Sequence, residues 1–161
     1  MHGIIYQISI QPIDPDDYIG VDTVAEGEMA DFDYLDDTPE ADRHEHIQYL
    51  VDHTLPKGMF IIDTDGGTLV YQGGFAEWRK TYLSLLRTKT EAISEENIME
   101  WTGPVYQLQK AIVNPLDSAD YFVIEEICNG SAERSRDLML LISQLEVGAK
   151  IYIGEILSYH A

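Results

Sequence analysis

Ile4, Tyr6, Ile8 and Ile10 alternate with Ile5, Gln7, Ser9 and Gln11 at the start of the chain, and Pro12 closes the run. A period of two is that of a half-buried strand. Two short apolar runs, residues 59–62 and Thr68–Tyr71, flank Asp65-Gly66-Gly67. Asp-Gly tolerates the positive φ of a tight turn, so this stretch predicts a β-hairpin. Tyr121–Ile124 is apolar on both faces, the pattern of a covered central strand. Residues 151–157 predict a last strand, also apolar on both sides, which hints at an intermolecular edge.

Helical spacing fills the intervals. Thr38-Pro39-Glu40 predicts a helix start: Thr38 as cap, Pro39 in the first turn and Glu40 complementing the dipole. Ile47, Leu50, Val51 and Thr54 mark its buried face, and Pro56-Lys57-Gly58 ends it. Gly73-Gly74 opens a helix with an apolar face of Phe75, Trp78, Tyr82, Leu85 and Leu86. Ser94-Glu95-Glu96 predicts another, with Ile98, Trp101, Val105, Leu108 and Ile112 inward and a break or kink at Pro104. Ser131 starts a fourth, which buries Leu138, Leu141, Ile142 and Leu145 and ends at Gly148. The order β-α-β-β-α-α-β-α-β is not strictly alternating. It predicts an α+β fold, with a mixed or mainly antiparallel sheet of about five strands and three to four helices mostly on one face.

Residues 12–37 fit neither period. They hold Asp14, Asp16, Asp17, Asp22, Glu26, Glu28, Asp31, Asp33, Asp36 and Asp37, interleaved with Tyr18, Ile19, Val21, Val24, Met29, Phe32, Tyr34 and Leu35. A disordered acidic tail lacks such apolar residues. An irregular segment inserted after the first strand is expected, packed through its apolar residues with its carboxylates outward.

Length and charge sharpen this picture. The 161 residues suit a single domain, able to form a core without disulfide or metal. Acids number 29 and bases 10, a net of −19. Residues 1–54 hold 14 acids and one base, Arg43, whereas residues 55–161 hold 15 acids and 9 bases. A uniform acidic coat, as in salt-adapted proteins, is not clustered in this way. Cys128 is the single cysteine, so no internal disulfide forms. Met1-His2-Gly3-Ile4-Ile5-Tyr6 has neither the basic leader nor the long apolar run of a signal peptide, and no apolar stretch approaches ~18 residues. A cytoplasmic protein, bacterial or viral, without membrane association is expected, and the sequon Asn129-Gly130-Ser131 is then chance.

Motifs for catalysis are weak. Asp42, His46, Tyr49 and His53 share one side of the first helix. Asp42 and His46 are a turn apart, but His46 and His53 are separated by ~10.5 Å of helix, too far to hold one ion. Asp63-Thr64-Asp65-Gly66 begins like a calcium loop, yet loop positions five and twelve fall on Gly67 and Gly74. Gly73-Gly74 precedes a helix without a phosphate-loop motif, and Arg79, Lys80, Arg87 and Lys89 form a modest basic strip. Glu125-Glu126 beside Cys128 disfavours a reactive thiolate, and the two acids point to opposite faces of a strand. An acid–base pair assembled across the fold, such as Asp63 with Glu125, is a further reading.

The acidic segment carries the main functional expectation. DNA presents a charge every ~1.7 Å along its axis, and its partners carry matching basic grooves. Spaced carboxylates on a compact protein fit such a groove, and aromatics among them anchor it. The expected role is a non-enzymatic acidic protein that binds and inhibits a basic partner, a nuclease or other nucleic-acid-binding protein, without itself binding nucleic acid. A DNA mimic acting against host defence, an immunity protein for a nuclease toxin and an antitoxin all fit. The expected binding residues are Asp14, Asp16, Asp17, Tyr18, Asp22, Asp31, Phe32, Asp33, Tyr34, Asp36, Asp37 and Glu40, with no metal or cofactor. The alternatives are a metal-assisted hydrolase using Asp42 and His46, and a structural or oligomeric component without an active site.

Overall fold

Alternation at the start of the chain produces strand β1 (His2–Ser9), which the last strand, β6 (Lys150–His160), covers along one edge. The computed structural model describes residues 1–27, 29–127 and 131–161. Four more strands complete the sheet: β2 (Tyr34–Asp37), β3 (Phe60–Ile62), β4 (Thr68–Tyr71) and β5 (Tyr121–Ile124). The helices are α1 (Glu40–Tyr49), α2 (Phe75–Glu91), α3 (Pro104–Val113) and α4 (Arg136–Ile142). Strand order is β3-β4-β6-β1-β5, with β2 also on β6. Among the described residues only the β1–β5 pairing is parallel. The fold is thus α+β with an open, mostly antiparallel mixed sheet.

The core lies on both sides of this sheet. Tyr6 and Ile8 of β1 and Phe122 and Ile124 of β5 pack with Ile47 and Leu50 at one end of the helical layer and Leu138 and Ile142 at the other. On the opposite face, Ile5, Val123, Leu157 and Tyr159 pack against Val24, Phe32 and Leu35. The acidic segment therefore serves as the second layer. β1 is accordingly buried on both faces, not half-buried: Gln7 and Ser9 are buried along with Ile8.

Tyr6 illustrates the tightness of the helix-side layer. Its hydroxyl donates to the His46 carbonyl at 3.0 Å. Burial, reinforced by the charge of Asp120 and then by Tyr49, raises its pKa above the ordinary tyrosine range. An unfolded tyrosine loses its proton near pH ~10, whereas the folded protein holds it. This group's stabilisation is therefore complete below about pH 10 and declines as pH rises further, by about 1.4 kcal/mol per unit. Tyr6→Phe is expected to lower stability by about 1 kcal/mol at neutral pH and to flatten the alkaline decline. Urea melts at neutral pH and at about pH 10.5 measure both, and an unchanged alkaline slope in the variant would contradict it.

Several elements differ from the sequence expectation. Tyr34–Asp37 is a strand on β6, not irregular chain. Thr38 does not cap α1: Pro39 occupies the cap position, and the buried Thr38 hydroxyl has no hydrogen-bond partner. Its N–H instead donates to the Ile156 carbonyl at 3.3 Å, continuing the strand pairing. Ser94 starts no helix. Residues 94–103 are mostly turns, and Pro104 begins α3 rather than kinking it, since the first helical position needs no N–H. Ile98 and Trp101 consequently face solvent. The fourth helix starts at Arg136 rather than Ser131, because Glu133 exchanges two backbone hydrogen bonds with Phe122. β5 lies at a sheet edge, not the centre, and its two-sided apolarity reflects cover from both layers. The last strand is interior, with β1 on one side and β4 and β2 on the other, so it offers no free edge of the kind expected.

Candidate partner-binding face

The acidic segment is fastened by polar groups as well as by its apolar residues. Asp14 caps a short 3₁₀ turn (Pro15–Asp17) by accepting from the Asp16 N–H at 3.0 Å. Gln7, fully buried in β1, uses its whole side-chain amide here. Its nitrogen donates to the Asp17 carbonyl (3.0 Å) and to Glu125 (2.7 Å), while its oxygen accepts from the N–H groups of Ile19 (3.1 Å) and Glu155 (3.0 Å). A side chain at Gly154 would collide with this amide. Further along, the Glu26 carboxylate accepts from the Leu35 N–H at 2.8 Å. The Phe32 ring sits 4.9 Å from that of Tyr121 and 5.0 Å from that of Tyr159.

These anchors leave the carboxylates outward. Asp14, Asp16, Asp17, Asp22, Asp31, Asp33, Asp36, Asp37 and Glu40 are all exposed. Tyr18 is half-buried, with the Arg43 guanidinium 5.9 Å from its ring centre. Tyr34 is 48% exposed and stacks on His160 at 5.3 Å. Phe32 is the exception. At 3% exposure it belongs to the core, so it supports the face from beneath and does not act as an anchor on it. Glu28 lies outside the described residues.

Arg43 explains why this face stays negative. It is the only base in residues 1–54. Its guanidinium donates to two backbone carbonyls of β6, Gly154 at 2.6 Å and Ile153 at 2.8 Å. These lie where β6 has passed β4 and not yet met β2, so Arg43 satisfies a gap in the ladder. Among the described residues, Asp33 alone of these carboxylates has an ion-pairing side chain within reach, Nδ1 of His160 at 3.2 Å. Arg43→Met is expected to cost about 2–3 kcal/mol in urea melts, because charge-assisted bonds to carbonyls are lost. Arg43→Lys should recover only part of this, since an ammonium lacks the planar fork that reaches both oxygens. A loss below about 0.5 kcal/mol for Arg43→Met would show that the gap is closed by other means.

The remaining candidates do not converge. Asp42 is exposed and His46 half-buried on α1, and the His53 ring lies against that of Tyr49 at a tilt, 4.8 Å between centres. Among the described residues no three His, Cys, Asp or Glu side chains come together to hold an ion. Asp63 and Glu125 sit at opposite edges of the sheet. Asp63 binds Lys150 at 2.9 Å, a hydrogen bond that lowers its pKa below the usual carboxylate range. Asp65 closes the β3–β4 turn, accepting from the N–H groups of Gly67 and Thr68 and from the Thr68 hydroxyl. Gly66, at φ +76°, takes the left-handed position there. Gly73 and Gly74 also have positive φ and lead into α2. Cys128, Asn129 and Gly130 lie outside the described residues.

Sequence reasoning missed Gln7 and Arg43 as the residues that position the face. Their signals were a lone amide within an apolar run and a lone base within an acidic third of the chain. Among the described residues no helix is long and apolar enough to cross a membrane. No family model, curated protein or solved structure matches the chain.

Proposed function

We propose that this is a non-enzymatic interaction protein that engages and inhibits a basic, nucleic-acid-handling protein through the carboxylates between Asp14 and Glu40. The observation that carries the reading is the placement of Arg43. The one base of the acidic third is committed to the β6 backbone, so among the described residues the exposed carboxylates, apart from Asp33 beside His160, remain without a Lys or Arg partner on a fixed scaffold. A fixed array loses less conformational entropy on binding than a flexible acidic tail. Uncompensated charge speeds encounter with a basic groove and makes it sensitive to salt. Tyr34, half-exposed beside Asp33 and Asp36, supplies an amphipathic ring of the kind that anchors interfaces.

The test starts from immobilised protein and a lysate of its natural host, washed at low and then high salt. The expected result is a stoichiometric basic protein released by salt, whose nucleic-acid binding or cleavage is titrated away by the free acidic protein. A captured protein that is not basic, or whose nucleic-acid activity is unaffected at saturation, would overturn the reading.

A further inference from the structure

The acidic face leaves one large feature unexplained. Helices α2 and α3 form an antiparallel hairpin in which no residue of either helix is buried. It is tied to itself by the Tyr82 hydroxyl, which donates to the Ala111 carbonyl at 2.9 Å. Phe75 and Trp78 hold its base against the core. Beyond that point its apolar side chains reach solvent. On α3, Leu108 and Ala111 are half-covered, whereas Val105 and Ile112, seven residues apart and so on one side, are exposed. At the tip, Met99 is 89% and Trp101 92% exposed. A helix pair with an apolar outer side is one half of a bundle.

Charge indicates the other half. Residues 75–113 contain five acids and five bases, so they are neutral while the rest of the chain carries the whole −19. A neutral apolar surface offers nothing to draw a basic partner. It is instead a place where two such acidic chains meet without strong repulsion. The charges within the hairpin are also unequal between its ends. The base half holds Arg79, Lys80 and Lys110 against Glu77, a net of +2, and the tip half holds Glu91, Glu95, Glu96 and Glu100 against Arg87 and Lys89, a net of −2, across a helix ~25 Å long. Side by side and parallel, two hairpins would set tip acids against tip acids. In the antiparallel arrangement each acidic tip meets the basic base of the other.

We infer that the α2–α3 hairpin is a homodimerisation element, pairing antiparallel with the hairpin of a second copy of this chain to form a two-fold four-helix bundle. Trp101 and Met99 of each copy pack near the base of the other, and Glu95 and Glu96 face Arg79 and Lys80. The contact is isologous and closes at two copies.

Sedimentation equilibrium of the full chain tests this. The protein is expected to be dimeric at about 100 µM. Trp101→Ala, at a side chain too exposed to matter to the fold, should weaken the dimer at least about tenfold. Arg79→Glu with Lys80→Glu should do the same, as should Glu95→Lys with Glu96→Lys, and all four changes in one chain should restore association to within about threefold. A monomer at about 300 µM would overturn the proposal. So would a dimer indifferent to these variants, or one that the combined reversal fails to restore. Association of the hairpin with vesicles or with another protein, in place of self-association, would also overturn it.

Discussion

Phe32→Ala should destabilise the protein by about 3–5 kcal/mol, a large part of an ordinary domain's stability. Phe32 packs between the Tyr121 and Tyr159 rings and within the cluster formed by Ile5, Val123 and Leu157. Its removal leaves a cavity under a loop and forfeits two aromatic contacts, each worth about 0.5–1.5 kcal/mol beyond the area buried. Because the acidic segment is itself the second layer of the core, it cannot detach without exposing that sheet face. Hydrogen exchange should therefore show faster exchange at Ile19 and Leu35, whose N–H groups are held by Gln7 and Glu26. Phe32→Leu keeps most of the volume and should cost no more than about 1.5 kcal/mol. Equal melts for wild type and Phe32→Ala would mean that the segment is not part of the cooperative fold.

Charge reversal should separate binding from folding in the opposite sense. Changing Asp31, Asp33, Asp36 and Asp37 together to Lys moves the net charge from −19 to −11. All four side chains are exposed, and the pair that Asp33 makes with His160 is open to solvent. Such pairs contribute about 0–1 kcal/mol, and Lys is well tolerated near a sheet edge. Circular dichroism and urea melts should thus change little. Affinity for the basic partner should fall by more than about a thousandfold, roughly 4 kcal/mol, as attraction becomes like-charge repulsion. Calorimetry with the captured partner gives the answer, and undiminished affinity would remove residues 31–37 from the interface.

How far the sequence foretold these features depended on whether the signal was local. The β3–β4 hairpin was legible because Asp65-Gly66 states its own turn. β1, α2 and β6 were legible because their apolar periods are long. β2 was not, since only Leu35 turns inward and its pairing partner lies more than a hundred residues away. The apolar residues of 98–112 read as one buried helix face, but period alone cannot tell a side chain that finds a core from one left outside. Pro104 was ambiguous for a similar reason, because a proline begins a helix as readily as it ends one. Within the candidate site, exposed acids follow from composition. The buried Gln7 and the diverted Arg43 arise from backbone groups that only the folded sheet brings near.

One consequence of the strand order concerns synthesis. β6 pairs with β1, β2 and β4, and it is made after all of them. At ~5–20 residues per second, β1 emerges roughly 7–30 s before the strand that covers its long edge. The α2–α3 hairpin, whose contacts are local, can form during that interval, but the sheet cannot. Until β6 is made, each nascent chain therefore carries an apolar strand with its longest edge unpaired. The carboxylates of residues 14–37 follow that strand directly, the placement of charges that guard an exposed apolar strand against pairing with its neighbours.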